Sequence, residues 1–305
     1  MSHPGDAPGS AESERLASDL ADRAATLWPT AAIPGALHLV STPIGNLGDI
    51  TLRALAVLRQ AAVICCEDTR HARTLLNRYG IDTPTIAVHE HNEASVIPRL
   101  VARLRDGEPI ALISDAGTPL VSDPGARLTE AVAAAGLRVV PIPGASALLA
   151  ALVSAGLAPH PFTMLGFPAR KGREREEQLA LAARLPHTVV LYESPNRLVD
   201  TLRDLAAIAG ASRPVAVARE LTKHFEEVRR GTLEDVAAYY ESTPPRGEIV
   251  IVLGGASVVA PSEDGLRSVA LALRGDGLPP REIVQRLMDE HGASRNLAYR
   301  LAHDT

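Results

Sequence analysis

The chain has 305 residues, of which 46% are hydrophobic, and its mean hydropathy of +0.05 is typical of a globular protein with a buried core. The formal net charge of −5 argues against a broad, nonspecific grip on nucleic acid, which depends on excess cationic side chains. No apolar run reaches the roughly 18 uncharged residues of a membrane helix, and residues 1–25 lack the order of a signal peptide, so we expect a cytoplasmic protein.

Residues 1–35 are rich in Ala, Pro, Gly and Ser, a composition typical of chain without a core of its own. We predict a mobile N-terminal extension there, with at most one short helix around Glu12–Leu27. From Ala36 onward, short Val/Ile/Leu runs alternate with amphipathic stretches. This alternation predicts an α/β fold with largely parallel strands.

The alternation falls into two series that meet near residues 143–160. We predict an N-terminal α/β domain over residues 36–143 and a C-terminal α/β domain over residues 144–256. Residues 262–305 form a small helical appendix, because "GLPPREIVQRLMDEHGASRNLAYRLA" contains two amphipathic stretches joined at "HGAS". The only cysteines, Cys65 and Cys66, are adjacent, so strand alternation sends them to opposite faces as buried hydrophobes, and we expect no metal site.

In open α/β sheets, ligands lie beyond the carboxyl ends of the strands, so we searched those ends for glycine and polar clusters. The first strand ends in "STPIGNLGD", whose spacing matches neither a dinucleotide fingerprint nor a P-loop. A second strand ends in "ISDAGTPLVSDPG", where we expect Asp115–Thr118 to contact a ligand and interpret Asp123 as a turn cap.

Two further strand ends stand out, and the second of them lies in the second half of the chain. "PIPGASALLAAL" opens a helix at Ser146 and Ala147, and "LYESPNR" places Tyr192 and Glu193 at the end of a strand. Glycine loops from one half and a polar strand end from the other predict a binding cleft between the halves.

These motifs together resemble the tetrapyrrole methylase superfamily. In chain order they are STPIGNLGD, CEDTR, HEHNE, SDAGTPLVSDPG, PGASA, GFPARK, YESPNR, RELTKHFEEVRRGTL and GEIVIV. The resemblance covers about residues 36–256, with a weaker match in the terminal helices. It is strongest to the branch that methylates the ribose 2′-oxygen of a cytidine in 16S ribosomal RNA.

The resemblance implies two domains of αβα layers, S-adenosylmethionine bound in the cleft between them, a homodimer, and the small ribosomal subunit as partner. It also implies a set of donor-binding residues in the motif loops. These are Pro43, Gly45, Leu47, Ser114, Asp115, Ala116, Gly117, Thr118, Leu120, Val121, Ser146, Ala147, Tyr192 and Leu221.

Methyl transfer to a ribose hydroxyl is an in-line displacement, so the main task of the protein is to align oxygen, carbon and sulfur. The hydroxyl proton needs an acceptor, for which a carboxylate or a neutral imidazole is suited. The candidates for this chemistry are Glu67, Asp68, His89, His91, Glu193 and Glu220. Each of them could instead be a cap or a scaffold residue, and Lys223 could pair with one of these acids or with a substrate phosphate.

RNA contacts are predicted at basic residues beside the motif loops. These are Arg70, His91, Arg170, Lys171 and Arg197. Aromatic residues make up only 3% of the chain, which argues against extensive base stacking. The two terminal helices are interpreted as a packing element rather than a nucleic-acid reader.

Two other functions remain open from the sequence. One is a C-methyltransferase of a corrin or sirohaem precursor, whose donor site would look alike. The other is a module that binds a nucleoside or assists ribosome assembly without catalysis.

Overall fold

The computed structural model describes residues 11–256 and 263–303. The chain divides into two compact units, Met1–Gly255 and Ala256–Thr305. Every helix within the described residues is too short or too polar to cross a membrane. The first ten residues of the predicted extension, and the first and the last two residues of the predicted appendix, lie outside the described residues.

The first half of the larger unit is a five-stranded parallel sheet with the strand order β3-β2-β4-β1-β5. Its strands are β1 (Ala36–Val40), β2 (Val63–Cys66), β3 (Thr85–Ala87), β4 (Ile110–Ile113) and β5 (Arg138–Ile142). β2 and β4 are buried along their whole length, which explains their uninterrupted apolar sequences. Cys65 and Cys66 are both buried and unpaired, as predicted.

Helices cover both faces of this sheet. They are α1 (Ala11–Leu27), α2 (Leu52–Gln60), α3 (Thr69–Arg78), α4 (Glu93–Arg105) and α5 (Ala126–Ala134). One core cluster unites α1, α2 and α3 with one face, and a second unites α4 and α5 with the other. Thr51 begins α2 and Asp68 begins α3, each as an N-cap whose side chain accepts a backbone N–H.

The N-terminal segment contains the one helix expected around Glu12–Leu27, observed as α1, but this helix packs into the domain. In α1, Ala21 and Ala24 are buried in the core cluster beneath α2. The Gln60 side chain donates to the carbonyl oxygens of Ala25 and Trp28. Small residues at these positions let the two helices approach closely, so this part of the segment is a layer of the domain.

The second half is a five-stranded sheet with the order β6-β7-β10-β8-β9. Its strands are β6 (Phe162–Gly166), β7 (Thr188–Glu193), β8 (Pro214–Arg219), β9 (Glu227–Thr232) and β10 (Ile249–Leu253). β10 runs antiparallel to both β7 and β8, and β9 runs antiparallel to β8. The prediction of largely parallel strands is therefore wrong for this sheet, although the α/β class and the layered halves are confirmed.

The second sheet also has helices on both faces. They are α6 (Ala147–Ser154), α7 (Arg173–Arg184), α8 (Leu198–Ala209) and α9 (Leu233–Ser242). α7, α8 and α9 share a core cluster with one face of the sheet, and α6 packs on the other.

The C-terminal unit has its own core within residues 263–303. It contains α10 (Glu263–Gly275), α11 (Pro280–Asp289) and α12 (Arg295–His303). Leu266, Ile283, Leu287 and Leu301 are buried among these helices. The predicted pair of terminal helices is confirmed, and α10 precedes it as a third.

The topology of the first sheet fixes where a ligand can enter. β1 and β4 are neighbours, but the helix that follows β1, α2, packs on one face of the sheet, and the helix that follows β4, α5, packs on the other. The connections after the two strands therefore diverge and leave a crevice at their carboxyl ends. The loops "STPIGNLGD" and "SDAGTPLVSDPG" both begin at this crevice.

Candidate functional site

The loops after β1 and β4 are bonded to each other at their bases. The Thr42 N–H donates to the Gly117 carbonyl oxygen at 2.9 Å, and the Gly117 N–H donates back to Thr42 at 3.1 Å. The buried Ser114 hydroxyl also donates to the Gly117 carbonyl oxygen, at 2.9 Å. These bonds fix the predicted Asp115–Thr118 corner, so a ligand meets a surface that is already ordered.

Two residues that the resemblance assigns to donor binding have hydroxyls engaged in the scaffold. The Thr118 hydroxyl donates to the Ala145 carbonyl oxygen at 3.2 Å. The Ser146 hydroxyl oxygen caps α6 by accepting the Leu149 N–H at 3.5 Å. These bonds tie the corner to the start of α6, so both side chains position the loops.

Backbone strain is concentrated in two loops. Among the described residues, the non-glycine residues with positive φ are Leu120 (72°), Ser122 (70°), Glu220 (51°) and Thr222 (65°). Each such conformation costs on the order of 1–3 kcal/mol and persists only where the surroundings enforce it. These residues flank the crevice from the β4 and β8 loops, and strained conformations of this kind cluster at ligand-binding sites.

The loop after β8 approaches the loop after β1 at Lys223. The Lys223 Nζ lies 2.9 Å from Glu220 Oε1 and 3.4 Å from Glu248 Oε2. Partial burial works against the charge of Lys223, but the bonds to Glu220 and Glu248 prevail and raise its pKa. Lys223 is therefore a cation at neutral pH and cannot serve as a base.

Glycine at position 45 makes this approach possible. A Cβ on Gly45 would lie 2.5 Å from the Lys223 side chain and 3.1 Å from the Leu221 carbonyl oxygen. The neighbouring Asn46 N–H donates to the Thr222 hydroxyl oxygen at 3.1 Å. The two halves of the unit are thus joined across one end of the crevice.

Two adjoining cavities lie between these loops. The larger cavity has a volume of about 350 Å³, and its lining includes Val121, Asp123, Ala147, Phe167 and Tyr192. The smaller cavity has a volume of about 230 Å³, and its lining includes Pro43, Gly45, Leu47, His71, Thr74 and Lys223. Ile44, Asp115, Ala116 and Glu248 line both cavities, and we call these four residues the shared wall.

Aspartates give this site its electrostatic character. Burial, reinforced by the like charges of Glu67 and Asp115, raises the pKa of Asp123 to about 6. Asp115 Oδ1 is buried and has no hydrogen-bond partner among the described residues. A buried acceptor is normally satisfied, so this oxygen indicates a missing donor group.

An aromatic pair closes the larger cavity from the second half. The rings of Phe167 and Tyr192 lie 5.3 Å apart and are tilted by 49°. Phe167 is exposed at 55%, so part of its side chain is accessible to a ligand. Burial raises the pKa of Tyr192, so its hydroxyl stays protonated at neutral pH.

The predicted donor residues divide between the two cavities. Pro43, Gly45, Leu47 and Ser114 line the smaller one, and Val121, Ala147 and Tyr192 line the larger one. Leu221 packs in the core beneath α6 and is outside both linings, as are Gly117, Thr118, Leu120 and Ser146.

The predicted proton acceptors are more scattered. Asp68 caps α3, and hydrogen bonds from the Arg70 guanidinium and backbone lower its pKa to about 2. Glu220 is paired with Lys223. His89 and His91 pack edge to face at 6.1 Å and, like Glu67, are outside both cavity linings.

Glu193 lines the larger cavity but is committed to the scaffold. Its side chain is fully buried, and Oε2 accepts from the Thr201 hydroxyl at 2.6 Å and from Arg197 at 3.0 Å. Oε1 accepts the Ser194 N–H at 2.7 Å. This carboxylate anchors the start of α8 and has little capacity left for a substrate.

The predicted RNA contacts gather mainly in the second half. Arg170, Lys171 and Arg197 line an open groove of about 580 Å³ beside α7 and α8. Arg197 is engaged there by Glu193 and by the Pro168 carbonyl oxygen. Arg170 and Lys171 are exposed. Arg70 lies apart from this groove, on α3, where it pairs with Asp68.

Sequence reasoning missed three features of the site. Asp123 was interpreted as a turn cap, and its raised pKa depends on burial that sequence does not report. Glu248 was overlooked because it precedes a strand, but β10 is antiparallel, so its amino end meets the carboxyl ends of its neighbours. His71 and Thr74 lie on the outer face of α3, and no local signal marks them.

Comparisons with known proteins match most of the chain. The model of a family described as Tetrapyrrole (Corrin/Porphyrin) Methylases matches residues 36–237. The ribosomal RNA small subunit methyltransferase I of Synechocystis sp. is 44% identical over 271 residues, covering 88% of this chain and 97% of that protein. The protein of the same name from Xylella fastidiosa is 45% identical over 270 residues, covering 87% and 98%.

A solved structure supports the fold independently. It is the uroporphyrin-III C-methyltransferase of Thermus thermophilus in complex with S-adenosylhomocysteine, which matches with a TM-score of 0.52 at 22% identity. The match covers 72% of this chain and 97% of that one. With the family match over most of the two layered halves, this chain belongs to the tetrapyrrole (corrin/porphyrin) methylase family, in the group of the proteins named ribosomal RNA small subunit methyltransferase I.

Proposed function

We propose that the protein is an S-adenosylmethionine-dependent methyltransferase that modifies the ribose 2′-oxygen of a cytidine in 16S ribosomal RNA of the small subunit. The observation that carries this proposal is the 44–45% identity to two proteins named ribosomal RNA small subunit methyltransferase I along almost their whole length. The alternative of a tetrapyrrole C-methyltransferase has weaker support, because its solved representative is only 22% identical and shows the fold alone.

The larger cavity fits the methyl donor. Its volume of about 350 Å³ lies within the range of roughly 300–1,000 Å³ that is usual for small-molecule sites. Val121, Ala147 and the exposed part of Phe167 offer apolar and aromatic surface, which suits an adenine ring. Asp115 and Asp123 offer carboxylates, which suit a ligand that carries positive charge.

The protein contributes alignment and charge. When bound, S-adenosylmethionine supplies an electrophilic methyl group on a positively charged sulfur. The bonded loops after β1 and β4 hold the shared wall in place, and this rigidity favours near-attack geometry. Asp115 and Glu248 are the carboxylates of the shared wall. Glu248 is paired with Lys223, as Glu220 is, so Asp115 is the carboxylate that we propose as acceptor for the hydroxyl proton.

Arg170 and Lys171 support RNA binding outside the cleft. Both are exposed beside the open groove, and Asp204, an acidic residue of that groove, pairs with Arg175. Cations of this kind contact phosphates and position the RNA without reading its sequence.

A labelling experiment tests the function. The purified protein is incubated with tritiated S-adenosylmethionine and either small ribosomal subunits or uroporphyrinogen. We expect label in the ribosomal RNA, at a 2′-O-methylcytidine after nuclease digestion. Label in the tetrapyrrole instead would support the alternative, and donor binding without label in either would support a non-catalytic module.

We further propose that the protein acts in the cytoplasm as a homodimer. α6 presents Leu149 and Val153 on one face, and Val153 is exposed at 75%. Contiguous exposed apolar surface marks protein interfaces, and we propose that these two side chains belong to such a surface. Sedimentation should give twice the chain mass, and Val153→Glu should shift the protein toward the monomer; a monomeric wild type would contradict the proposal.

A further inference from the structure

The two cavities offer separate places for the two reactants. Both have Ile44, Asp115, Ala116 and Glu248 in their lining, so ligands in the two cavities meet at these residues. A methyl transfer requires that arrangement, because donor carbon and acceptor oxygen must approach within about 3–3.5 Å.

Size and chemistry distinguish the cavities. At about 230 Å³, the smaller cavity is below the usual range for a whole cofactor, roughly 300–1,000 Å³, and suits one part of a polymer. It lacks the aromatic pair of the larger cavity. Its outer lining instead includes the imidazole of His71, the hydroxyl of Thr74 and the ammonium of Lys223. These groups match hydroxyl and phosphate oxygens rather than an adenine ring.

We propose that the smaller cavity is the acceptor subsite, which takes the ribose of the target nucleotide and its adjoining phosphate. Lys223 faces the phosphate, and Asp115 accepts a hydrogen bond from the 2′-hydroxyl at the shared wall. This assignment rests on the proposed function and adds to it the place of the RNA.

Asp115 is suited to this role by its unused acceptor. The buried Oδ1 has no hydrogen-bond partner among the described residues, and the residue belongs to the wall between the cavities. A hydroxyl group entering the smaller cavity would supply the missing donor. Lys223 is held between Glu220 and Glu248 and is therefore ordered before the RNA arrives.

The surface outside the smaller cavity also carries basic side chains that suit phosphate groups. α3 carries His71 and Thr74, and its remaining charged residues are all basic, with Arg70 and Arg73 exposed. An exposed cationic helix face leading away from the subsite gives the polynucleotide a path along its backbone.

The test fills each cavity separately in the full-length protein. Thr74→Phe occupies the smaller cavity, and Ala147→Phe occupies the larger one. Asn77→Phe is the matched control, because Asn77 is exposed on α3 but outside both linings. Donor affinity is measured by calorimetry with S-adenosylmethionine, and methylation is measured on small ribosomal subunits.

We expect Thr74→Phe to lower kcat/KM for the subunits at least 10-fold while the donor Kd changes less than 2-fold. Ala147→Phe should weaken the donor Kd at least 10-fold, and Asn77→Phe should change neither quantity. A normal donor Kd also shows that the Thr74→Phe variant has folded. If that variant does not fold, His71→Ala replaces it in the test, because His71 is exposed and lines the same cavity. We expect His71→Ala to raise KM for the subunits several-fold.

The assignment is overturned if Thr74→Phe weakens the donor as much as Ala147→Phe does, because the donor would then occupy the smaller cavity. It is also overturned if both smaller-cavity variants methylate subunits normally. If the wild-type protein binds the donor but transfers no label to subunits, the proposed function itself is overturned. Failure of the proposed function is thus distinguished from failure of the subsite assignment.

Discussion

Asp123 is a residue whose placement costs stability. Its carboxylate is half-buried, follows a residue with φ of 70°, and lies near the like charges of Glu67 and Asp115. A chain selected for stability alone would place a neutral residue there. A negative charge that lines the larger cavity is explained if its ligand is a cation, as the proposed donor is.

The replacement Asp123→Asn should therefore stabilise the protein at neutral pH. The pKa of Asp123 is raised to about 6, whereas an unfolded chain has an aspartate pKa of about 3.9. Between these values the folded state retains a proton that the unfolded state has released, so stability falls as pH rises from about 4 to 6. After allowing for solvent screening, we expect the variant to gain about 1 kcal/mol above pH 7 and nothing at pH 4.

Urea unfolding at pH 4, 5, 6 and 7.5 measures this gain, with the exposed Asp106→Asn as control. The same variant should bind S-adenosylmethionine several-fold more weakly at pH 7.5. A gain that is equal at all four pH values would contradict the argument, because it would not come from ionisation.

Glu193 has the opposite character, and its removal should unfold part of the second half. Glu193→Ala would leave Arg197 and the Thr201 hydroxyl without their buried partner, and breaking a buried pair costs about 3–5 kcal/mol. The matched control is Glu241→Ala, which removes an exposed pair with Arg203 worth about 0–1 kcal/mol. Denaturant unfolding should separate the two variants; equal losses would contradict the structural role.

At the scale of elements, sequence reasoning succeeded where the pattern is local. The runs in β2 and β4 and the motif loops that follow strands were predicted because apolar periodicity and turn residues are short-range signals. The direction of β10 was missed because the run Ile249–Leu253 is equally apolar in either orientation. Glu248 was overlooked for the same reason, since the sequence does not say which end of that strand faces the ligand.

The α1 helix shows a second limit of sequence reasoning. Its composition suggested a mobile extension, but alanine is also the residue that lets two helices pack closely. Tertiary contact with α2 therefore decided the outcome, through buried Ala21 and Ala24 and an ion pair between Asp22 and Arg59.

A charge placed beneath α1 should reveal this packing. Ala24→Asp puts a carboxylate at a position that is 1% exposed, and we expect a loss of about 3 kcal/mol or more. Leu16→Asp lies on the same helix at 63% exposure and should change stability by less than about 0.5 kcal/mol. Thermal and denaturant unfolding measure both; similar small effects would mean that the helix is not part of the folded layer.

At the scale of the whole molecule, the cores are distributed unequally. Four hydrophobic clusters lie within the larger unit, and the fifth is confined to the C-terminal helices. The residues that line the two cavities all belong to the larger unit. We therefore expect the stability of the larger unit and the proposed donor binding to depend on the unit Met1–Gly255.

A chain that ends at Gly255 should fold and bind the donor with a Kd within about 2-fold of the full-length value, because its cores and both cavities remain complete. A chain that ends at Glu248 should not fold, because it lacks β10, which pairs with both β7 and β8. Calorimetry with S-adenosylmethionine and thermal unfolding distinguish these outcomes. If the chain that ends at Gly255 lost donor binding, the C-terminal helices would support the donor site. If it kept donor binding but no longer methylated RNA, these helices would contribute to RNA binding.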